Sequence, residues 1–305
     1  RVLAHVPARL HVELRVAVAD QQAPLDVRVV DVRVDFPHGR MTEWYPKATT
    51  RSNTQLIWNA VRIDPRESGE LPASKGASHY FAARETDAAP VRVNGQVEKL
   101  LFYRGVGNFD VPIEAKFLGD GRLRVRNTGS AALPVAFYFE NREGRFAYRV
   151  ARDISREIVW ESPKGLDNLV SIQQALQAEL TLAGLFPKEA AAMIETWRDA
   201  WFESGTRVIY LVPKELVDKV LPLQIAPQPA AVERVFVGRV ELLAPWREAK
   251  LLAASTPEAL EDSGRFLDSF ASQITRTSGQ TLHRGAYNAA INRIWETARI
   301  SDCIR

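Results

Sequence analysis

The chain of 305 residues exceeds one typical domain of roughly 150 residues, and its 46% hydrophobic and 25% charged residues suit an ordinary globular protein. The 40 basic and 37 acidic residues are interspersed, so the net charge of +3 does not form the basic patch that nucleic-acid binding requires. No run of about 18 apolar residues occurs, which excludes a membrane-spanning helix within this sequence.

The first half of the chain shows the alternation of apolar and polar residues that is typical of strands with one buried face. The clearest case runs from residue 10 to residue 18. A second series changes phase between Val29 and Val30, which predicts a β-bulge or a strand break there. Turn residues then separate short strands at about ten-residue spacing, a pattern that favours an antiparallel β-sandwich over residues 1–160.

The second half, residues 161–305, has a mixed pattern. Asp167 is the expected N-cap of a helix, and Pro187 is the expected first residue of a second one, so the two predict a helical hairpin. Strands are predicted near residues 207–212 and 235–243, and Thr256-Pro257 predicts a further helix start. The fold class is therefore α+β. The later strands either belong to a separate domain or complete the first sheet.

Ionisable residues concentrate in residues 79–87. Glu85 and Asp87 are two positions apart, so in a strand their carboxylates would share a face. With His79 as an assisting group, such a pair suits general acid-base catalysis. The alternative is a strand end in which Arg84 offsets the acids. His79, Glu85 and Asp87 are thus the catalytic candidates, and Arg84 is a candidate for ligand binding.

A Gly-x-Gly sequence lies between two further ligand-binding candidates, Arg104 and Asn108. Gly105 and Gly107 resemble a phosphate-binding loop only in their glycines, because such a loop needs a helix behind it and Pro112 follows instead. The sequence favours a glycine-rich bend between strands.

Metal and cofactor sites have little support in the sequence. His11 and Glu13 share a strand face, but no third ligand is identifiable, so neither a metal site nor a cofactor is predicted. The single cysteine, Cys303, excludes an intrachain disulfide. Trp197 and Trp201 fall at helical spacing, which favours packing in the core over a ligand groove.

Several phrases resemble a family of uncharacterised, exported bacterial proteins, over roughly residues 25–270. The phrases are Val-Asp-Phe-Pro at 34–37, Thr-Glu-Trp-Tyr-Pro at 42–46, His-Tyr-Phe-Ala-Ala-Arg-Glu-Thr-Asp at 79–87, Phe-Tyr-Arg-Gly-Val-Gly at 102–107, Thr-Trp-Arg-Asp-Ala-Trp-Phe at 196–202 and Val-Phe-Val-Gly-Arg at 235–239. The resemblance implies a location in the periplasm or cell envelope and implies no chemistry. One cysteine is equally compatible with the cytoplasm.

Two functional hypotheses follow. The first is a non-enzymatic cell-envelope protein that binds an unidentified protein or a cell-surface ligand. The alternative is a hydrolase that acts on an envelope glycan or peptide with Glu85 and Asp87 as acid and base, and in which Arg104 holds an anionic group.

Overall fold

A computed structural model describes residues 9–14, 27–67, 69–71, 79–165 and 167–303. The predicted strand at residues 10–18 is described as a strand up to Leu14, and its remainder lies outside the described residues. The described part combines seven α-helices with sixteen strands, and every strand pairing is antiparallel. The α+β prediction is confirmed.

The strands are β1 (Arg9–Leu14), β2 (Arg28–Asp35), β3 (Gly39–Tyr45), β4 (Thr50–Arg51), β5 (Gln55–Ile63), β6 (Val91–Val93), β7 (Gln96–Glu98), β8 (Leu101–Gly107), β9 (Ile113–Phe117), β10 (Leu123–Asn127), β11 (Leu133–Arg142), β12 (Arg145–Ile154), β13 (Glu157–Trp160), β14 (Gly205–Leu211), β15 (Leu223–Ala226) and β16 (Val237–Leu242). The helices are α1 (Leu169–Leu182), α2 (Pro187–Trp201), α3 (Lys214–Val220), α4 (Pro245–Ala253), α5 (Pro257–Glu261), α6 (Leu267–Ser278) and α7 (Arg284–Cys303). Two 3₁₀ helices span His79–Glu85 and Gly264–Phe266.

The strands form four sheets. Sheet I has the order β1-β8-β3, and sheet II has the order β15-β2-β5-β6-β7 with β4 paired to β5. Sheet III has the order β13-β10-β9, and sheet IV has the order β12-β11-β14-β16. Strands from both sides of residue 160 share sheets II and IV, so the two predicted segments contribute to the same sheets.

One hydrophobic core receives buried side chains from all four sheets, among them Trp58, Tyr103, Val125 and Tyr138. Sheet IV is covered on both faces, because alternate residues of β11 and β14 face this core and a second core formed with α1 and α2. All seven residues of β14 are buried as a result. Four sheets therefore pack around one core, and the β-sandwich predicted for residues 1–160 stays a prediction.

The helical hairpin covers the second face of sheet IV. Asn168 is the N-cap of α1, one residue after the predicted Asp167, because its side chain accepts a hydrogen bond of 2.7 Å from the Ser171 N–H. Helix α2 begins at Pro187 as predicted. Trp197 and Trp201 are buried against sheet IV, which confirms that they belong to the core.

A third core joins helices α4 to α7. Helix α5 begins at Pro257, as the Thr256-Pro257 pair predicts. None of the helices in the described part of the chain combines the length and the hydropathy that a membrane-spanning helix requires.

The predicted irregularity near Val30 exists, but the extra residue is on the partner strand. Val30 pairs with Val61 and Val32 pairs with Trp58, so β5 has one residue more than β2 between these pairs. Ala60 has φ 53°, and its N–H donates a hydrogen bond of 2.8 Å to the Asp31 carboxylate. The bulge leaves Val30 buried and Val29 exposed, so the phase change in β2 does not reverse the buried face.

A buried ion pair crosses sheet IV between β14 and β16. Arg207 Nε lies 2.9 Å from Glu241 Oε2, and the two side chains are 0% and 1% exposed. The guanidinium of Arg207 also donates to the carbonyls of Trp201 and Glu203, both at 2.7 Å. Arg239 adds a second contact to Glu241, at 2.6 Å. The carboxylate therefore has two arginine partners in the interior, and the Arg207 guanidinium links the end of α2 to the sheet.

The two arginines determine the direction in which the pKa of Glu241 shifts. Burial alone raises the pKa of Glu241, but the attraction of Arg207 and Arg239 outweighs it and holds the pKa below the ordinary value of 4.5. A carboxylate whose pKa is lowered by folding stabilises the fold when the pH is above its ordinary pKa. This stabilisation is lost as the pH falls through the pKa of the folded state.

We expect Glu241→Gln to lower the free energy of unfolding by about 3–5 kcal/mol at neutral pH, because it leaves the Arg207 charge buried without its main partner. Urea denaturation at several pH values measures this. The difference from the wild type should shrink as the pH falls below 4.5, because the unfolded carboxylate protonates there and the native carboxylate only at its lower folded-state value. The matched control is Glu114→Gln, which breaks the exposed ion pair with Arg126 and should change stability little. Equal effects of the two substitutions would contradict this assignment.

Candidate functional site

The segment predicted to hold a catalytic pair is a 3₁₀ helix over His79–Glu85, not a strand. The chain turns after it, where the Thr86 hydroxyl donates a hydrogen bond of 2.7 Å to the Ala83 carbonyl. Glu85 and Asp87 are both exposed, and the Asp87 carboxylate forms an ion pair with Lys188 of α2. The expectation that the two acids share a strand face is therefore wrong, because that relation requires extended backbone.

Arg84 is the counterion of a buried acid. The Glu98 carboxylate is 0% exposed, and it accepts a hydrogen bond of 3.0 Å from Arg84 Nε and a second from the same guanidinium. The Tyr45 hydroxyl donates to Glu98 at 2.8 Å. Arg84 also lies 3.9 Å from the centre of the Phe81 ring, whose edge meets Tyr45. The Arg84 guanidinium is thus engaged by Glu98 and Phe81 and is not a ligand-binding group at the surface.

Burial, with the Glu98 carboxylate beside it, raises the pKa of the Tyr45 hydroxyl to about 12. Tyr45 is therefore a neutral hydrogen-bond donor at every physiological pH. The bond to Glu98 fixes the orientation of the ring, so the depression described below has a rigid wall.

The remaining candidates lie apart from these residues along the chain. Arg104 Nε lies 2.7 Å from Glu43 Oε2, an ion pair between neighbouring strands β8 and β3. Asn108 is exposed after the end of β8, and its backbone N–H donates to the His38 carbonyl. The His79 side chain, and the side chains of His11, Glu13 and Cys303, lie outside the described residues.

The Gly-x-Gly sequence is part of strand β8 and is not a bend. The Phe36 ring packs so closely against this strand that only glycine leaves room for it. A Cβ on Gly107 would lie 2.2 Å from Phe36 Cζ, and a Cβ on Gly105 would lie 2.8 Å from Phe36 Cε1. A Cβ on Gly39 of β3 would meet the same ring at 2.3 Å. Three glycines therefore form a flat surface that holds Phe36, and this packing accounts for the motif without a phosphate.

A shallow, open depression of about 390 Å³ lies over β3 and the loop after it. Its lining residues are Thr42, Glu43, Trp44, Tyr45, Lys47 and Gln96. The Lys47 backbone N–H donates a hydrogen bond of 2.9 Å to Gln96 Oε1, which joins the loop to β7. An aromatic wall with a few polar groups is typical of a small ligand-binding site.

The charges around this depression are unequal. Glu43 is paired with Arg104, whereas Lys47 and Arg51 have no carboxylate within ion-pair distance anywhere in the described chain. Arg51 lies 5.2 Å from the centre of the Trp44 ring, within the range of a cation–π contact. Two uncompensated positive charges therefore lie beside an aromatic surface. We call the six lining residues and Arg51 the β3 depression.

The sequence contained part of this site. The aromatic pair of Trp44 and Tyr45 belongs to a phrase of the family resemblance, yet no side chain of the β3 depression was a ligand-binding candidate. Gln96 and Arg51 reach the site only through tertiary contacts. The available signal would have been basic residues close in sequence to an aromatic pair.

Comparisons with protein-family models, with curated proteins and with solved structures found no match for this chain.

We expect Gly107→Ala to lower the free energy of unfolding by about 1–3 kcal/mol, because the new methyl group overlaps the Phe36 ring. Chemical denaturation measures the loss. Gly119→Ala is the control, since a Cβ there has nothing within 4 Å. In a double-mutant cycle, Phe36→Leu should destabilise the Gly107→Ala protein less than the wild type. Additive losses would show that the ring and the glycine are not in conflict.

Proposed function

We propose that this protein is a non-enzymatic binding protein of the cell envelope, and that it holds a partner protein or a cell-surface ligand in the β3 depression. The observation that carries the proposal is the combination of an open depression, an aromatic wall and two cations that have no acidic partner among the residues the structure describes. Elsewhere, buried charges such as Arg84 and Arg207 are committed to internal acids. Lys47 and Arg51 can therefore form ion pairs with a bound molecule.

The geometry supports binding better than hydrolysis. A glycosidase of the usual type positions two carboxyl groups about 5 to 9.5 Å apart across a cleft. Glu85 ends the 3₁₀ helix and Asp87 follows it at the molecular surface, where Asp87 is engaged by Lys188. The acid of the depression, Glu43, is paired with Arg104. Asp87 and Glu43 are thus each engaged by a basic side chain, which favours binding over hydrolysis.

The envelope location rests on the family resemblance. One of its phrases, residues 42–46, supplies four consecutive lining residues of the depression, Thr42 to Tyr45. Another, residues 79–87, supplies Arg84, which fixes Glu98 and through it Tyr45. The resembling phrases therefore include both the proposed site and its support.

A thermal-shift screen tests the proposal with soluble envelope components: peptidoglycan fragments, neutral and acidic glycans, and short peptides. A ligand present at about 100 times its dissociation constant should stabilise the fold by about 2.7 kcal/mol. We expect at least one class to raise the melting temperature of the wild type.

The matched variants are Trp44→Ala and Trp295→Ala. Trp44 lines the depression, whereas Trp295 is 62% exposed on α7. The stabilisation should be lost in Trp44→Ala and kept in Trp295→Ala. A shift that survives Trp44→Ala would locate binding elsewhere. Release of product from a glycan or peptide, abolished by Glu85→Gln, would favour the hydrolase instead.

A further inference from the structure

Strand β3 is an edge strand of sheet I, paired with β8 on one side. Backbone groups of an edge strand alternate between its partner and the open side. The Asn108 N–H donates to the His38 carbonyl at 2.8 Å, so His38 faces β8. The Met41 N–H donates to the Asn53 carbonyl at 2.7 Å, so Met41 faces away from β8. These two contacts fix the alternation at the start of β3.

A bulge at Thr42 then resets this alternation. Met41 pairs with Gly105 and Glu43 pairs with Arg104, so β3 has one extra residue between these pairs. Counting along the regular strand β8, Glu43 faces β8 and Trp44 faces the open side. The N–H and C=O of Trp44 therefore point out of sheet I. No hydrogen-bond partner for them occurs among the residues that the structure describes.

The neighbouring backbone groups on this side are occupied. Asn53 accepts from the Met41 N–H, and Gln96 accepts from the Lys47 N–H. The Pro46 carbonyl accepts a hydrogen bond of 3.0 Å from Trp58 Nε1. The backbone N–H and C=O of Trp44 thus lack a hydrogen-bond partner in the described chain, while the backbone groups on either side of them have one. The Trp44 side chain lines the β3 depression. One residue of an added strand fits there and exchanges two backbone hydrogen bonds with Trp44.

The charges indicate the side chains of such a strand. Lys47 and Arg51 flank Trp44 without acidic partners in the described chain, while Glu43 is neutralised by Arg104. Acidic side chains on the face of the added strand that also carries the partner of Trp44 would complement them. A basic segment would place like charges together.

We propose that the ligand of the β3 depression is a short, extended acidic peptide segment that pairs with β3 at Trp44. This rests on the proposed function and names its ligand class. Main-chain hydrogen bonds to Trp44 hold the segment in register, and Lys47 and Arg51 select its acidic side chains. An anionic polysaccharide would satisfy the charges but lacks the peptide backbone that pairs with the edge of a strand.

Fluorescence anisotropy with defined probes tests this. The probe is a labelled eight-residue peptide that alternates glutamate and threonine; its comparators are the lysine-threonine peptide and a probe N-methylated at every second residue. We expect the acidic peptide to bind and the basic one not to bind. N-methylation removes donors needed for strand pairing, so it should weaken binding by about tenfold or more.

Charge reversal gives the second arm. Lys47→Glu and Arg51→Glu should each weaken binding of the acidic peptide by about tenfold, and added salt should do the same for the wild type. Lys116→Glu, on the exposed face of β9, is the control and should bind normally. The melting temperature of each variant establishes that it is folded. The N-methylated probe uses the unaltered protein and so is independent of any folding defect.

Equal binding of the N-methylated probe would overturn strand pairing at Trp44. Binding of polygalacturonate, an anionic polysaccharide probe, without binding of the acidic peptide would overturn the peptide assignment while the proposed function stands. Failure of the acidic peptide alone also overturns this inference. The proposed function fails separately, when no envelope component gives a shift that depends on Trp44.

Discussion

The fold depends on how one arginine is accommodated inside it. Strand β14 is buried along its whole length, and Arg207 lies at its centre with no exposed surface. An uncompensated charge in that position would cost several kcal/mol. Glu241 on the adjacent strand supplies the counter-charge, and the carbonyls at the end of α2 use the remaining donors. The pair therefore fixes the end of α2 relative to sheet IV.

This constraint extends to the proposed binding site through packed elements. Helix α2 packs on sheet IV and also contacts the 3₁₀ helix of residues 79–85. That 3₁₀ helix carries Arg84, whose guanidinium neutralises Glu98 on β7. Glu98 in turn holds the Tyr45 hydroxyl. The wall of the β3 depression is thus connected to the core by two successive buried carboxylates, each of which is neutralised by arginine.

Local patterns predicted the elements that local physics determines. Proline at the first position of α2 and α5, and the helical spacing of Trp197 and Trp201, identified helix starts and buried faces. The glycines at 105 and 107 were misinterpreted, because a strand glycine and a turn glycine look alike in sequence. The reason for them is the ring of Phe36, about seventy positions away, and no local window contains it.

The candidate site was harder to predict for the same reason. The Arg-Glu-Thr-Asp sequence at 84–87 suggests a catalytic site, but only the tertiary structure shows that Arg84 forms a buried ion pair with Glu98. Conversely, Lys47 and Arg51 look ordinary in sequence and gain significance because no acid among the described residues pairs with them. Which charges the fold leaves unpaired depends on tertiary contacts, which a local sequence pattern does not contain.

The bulge at Thr42 determines what the edge of sheet I presents. If Thr42 paired as a regular residue of the strand, the alternation set by Met41 would turn Glu43 outward and Trp44 toward β8. The open peptide group would then belong to an acid already paired with Arg104, and the aromatic residue would be part of the ladder. With the bulge, the open peptide group and the aromatic side chain belong to the same residue, beside two cations that have no acidic partner in the described chain. Bulges are common where a strand must redirect a side chain, and this one brings both features into the proposed binding surface.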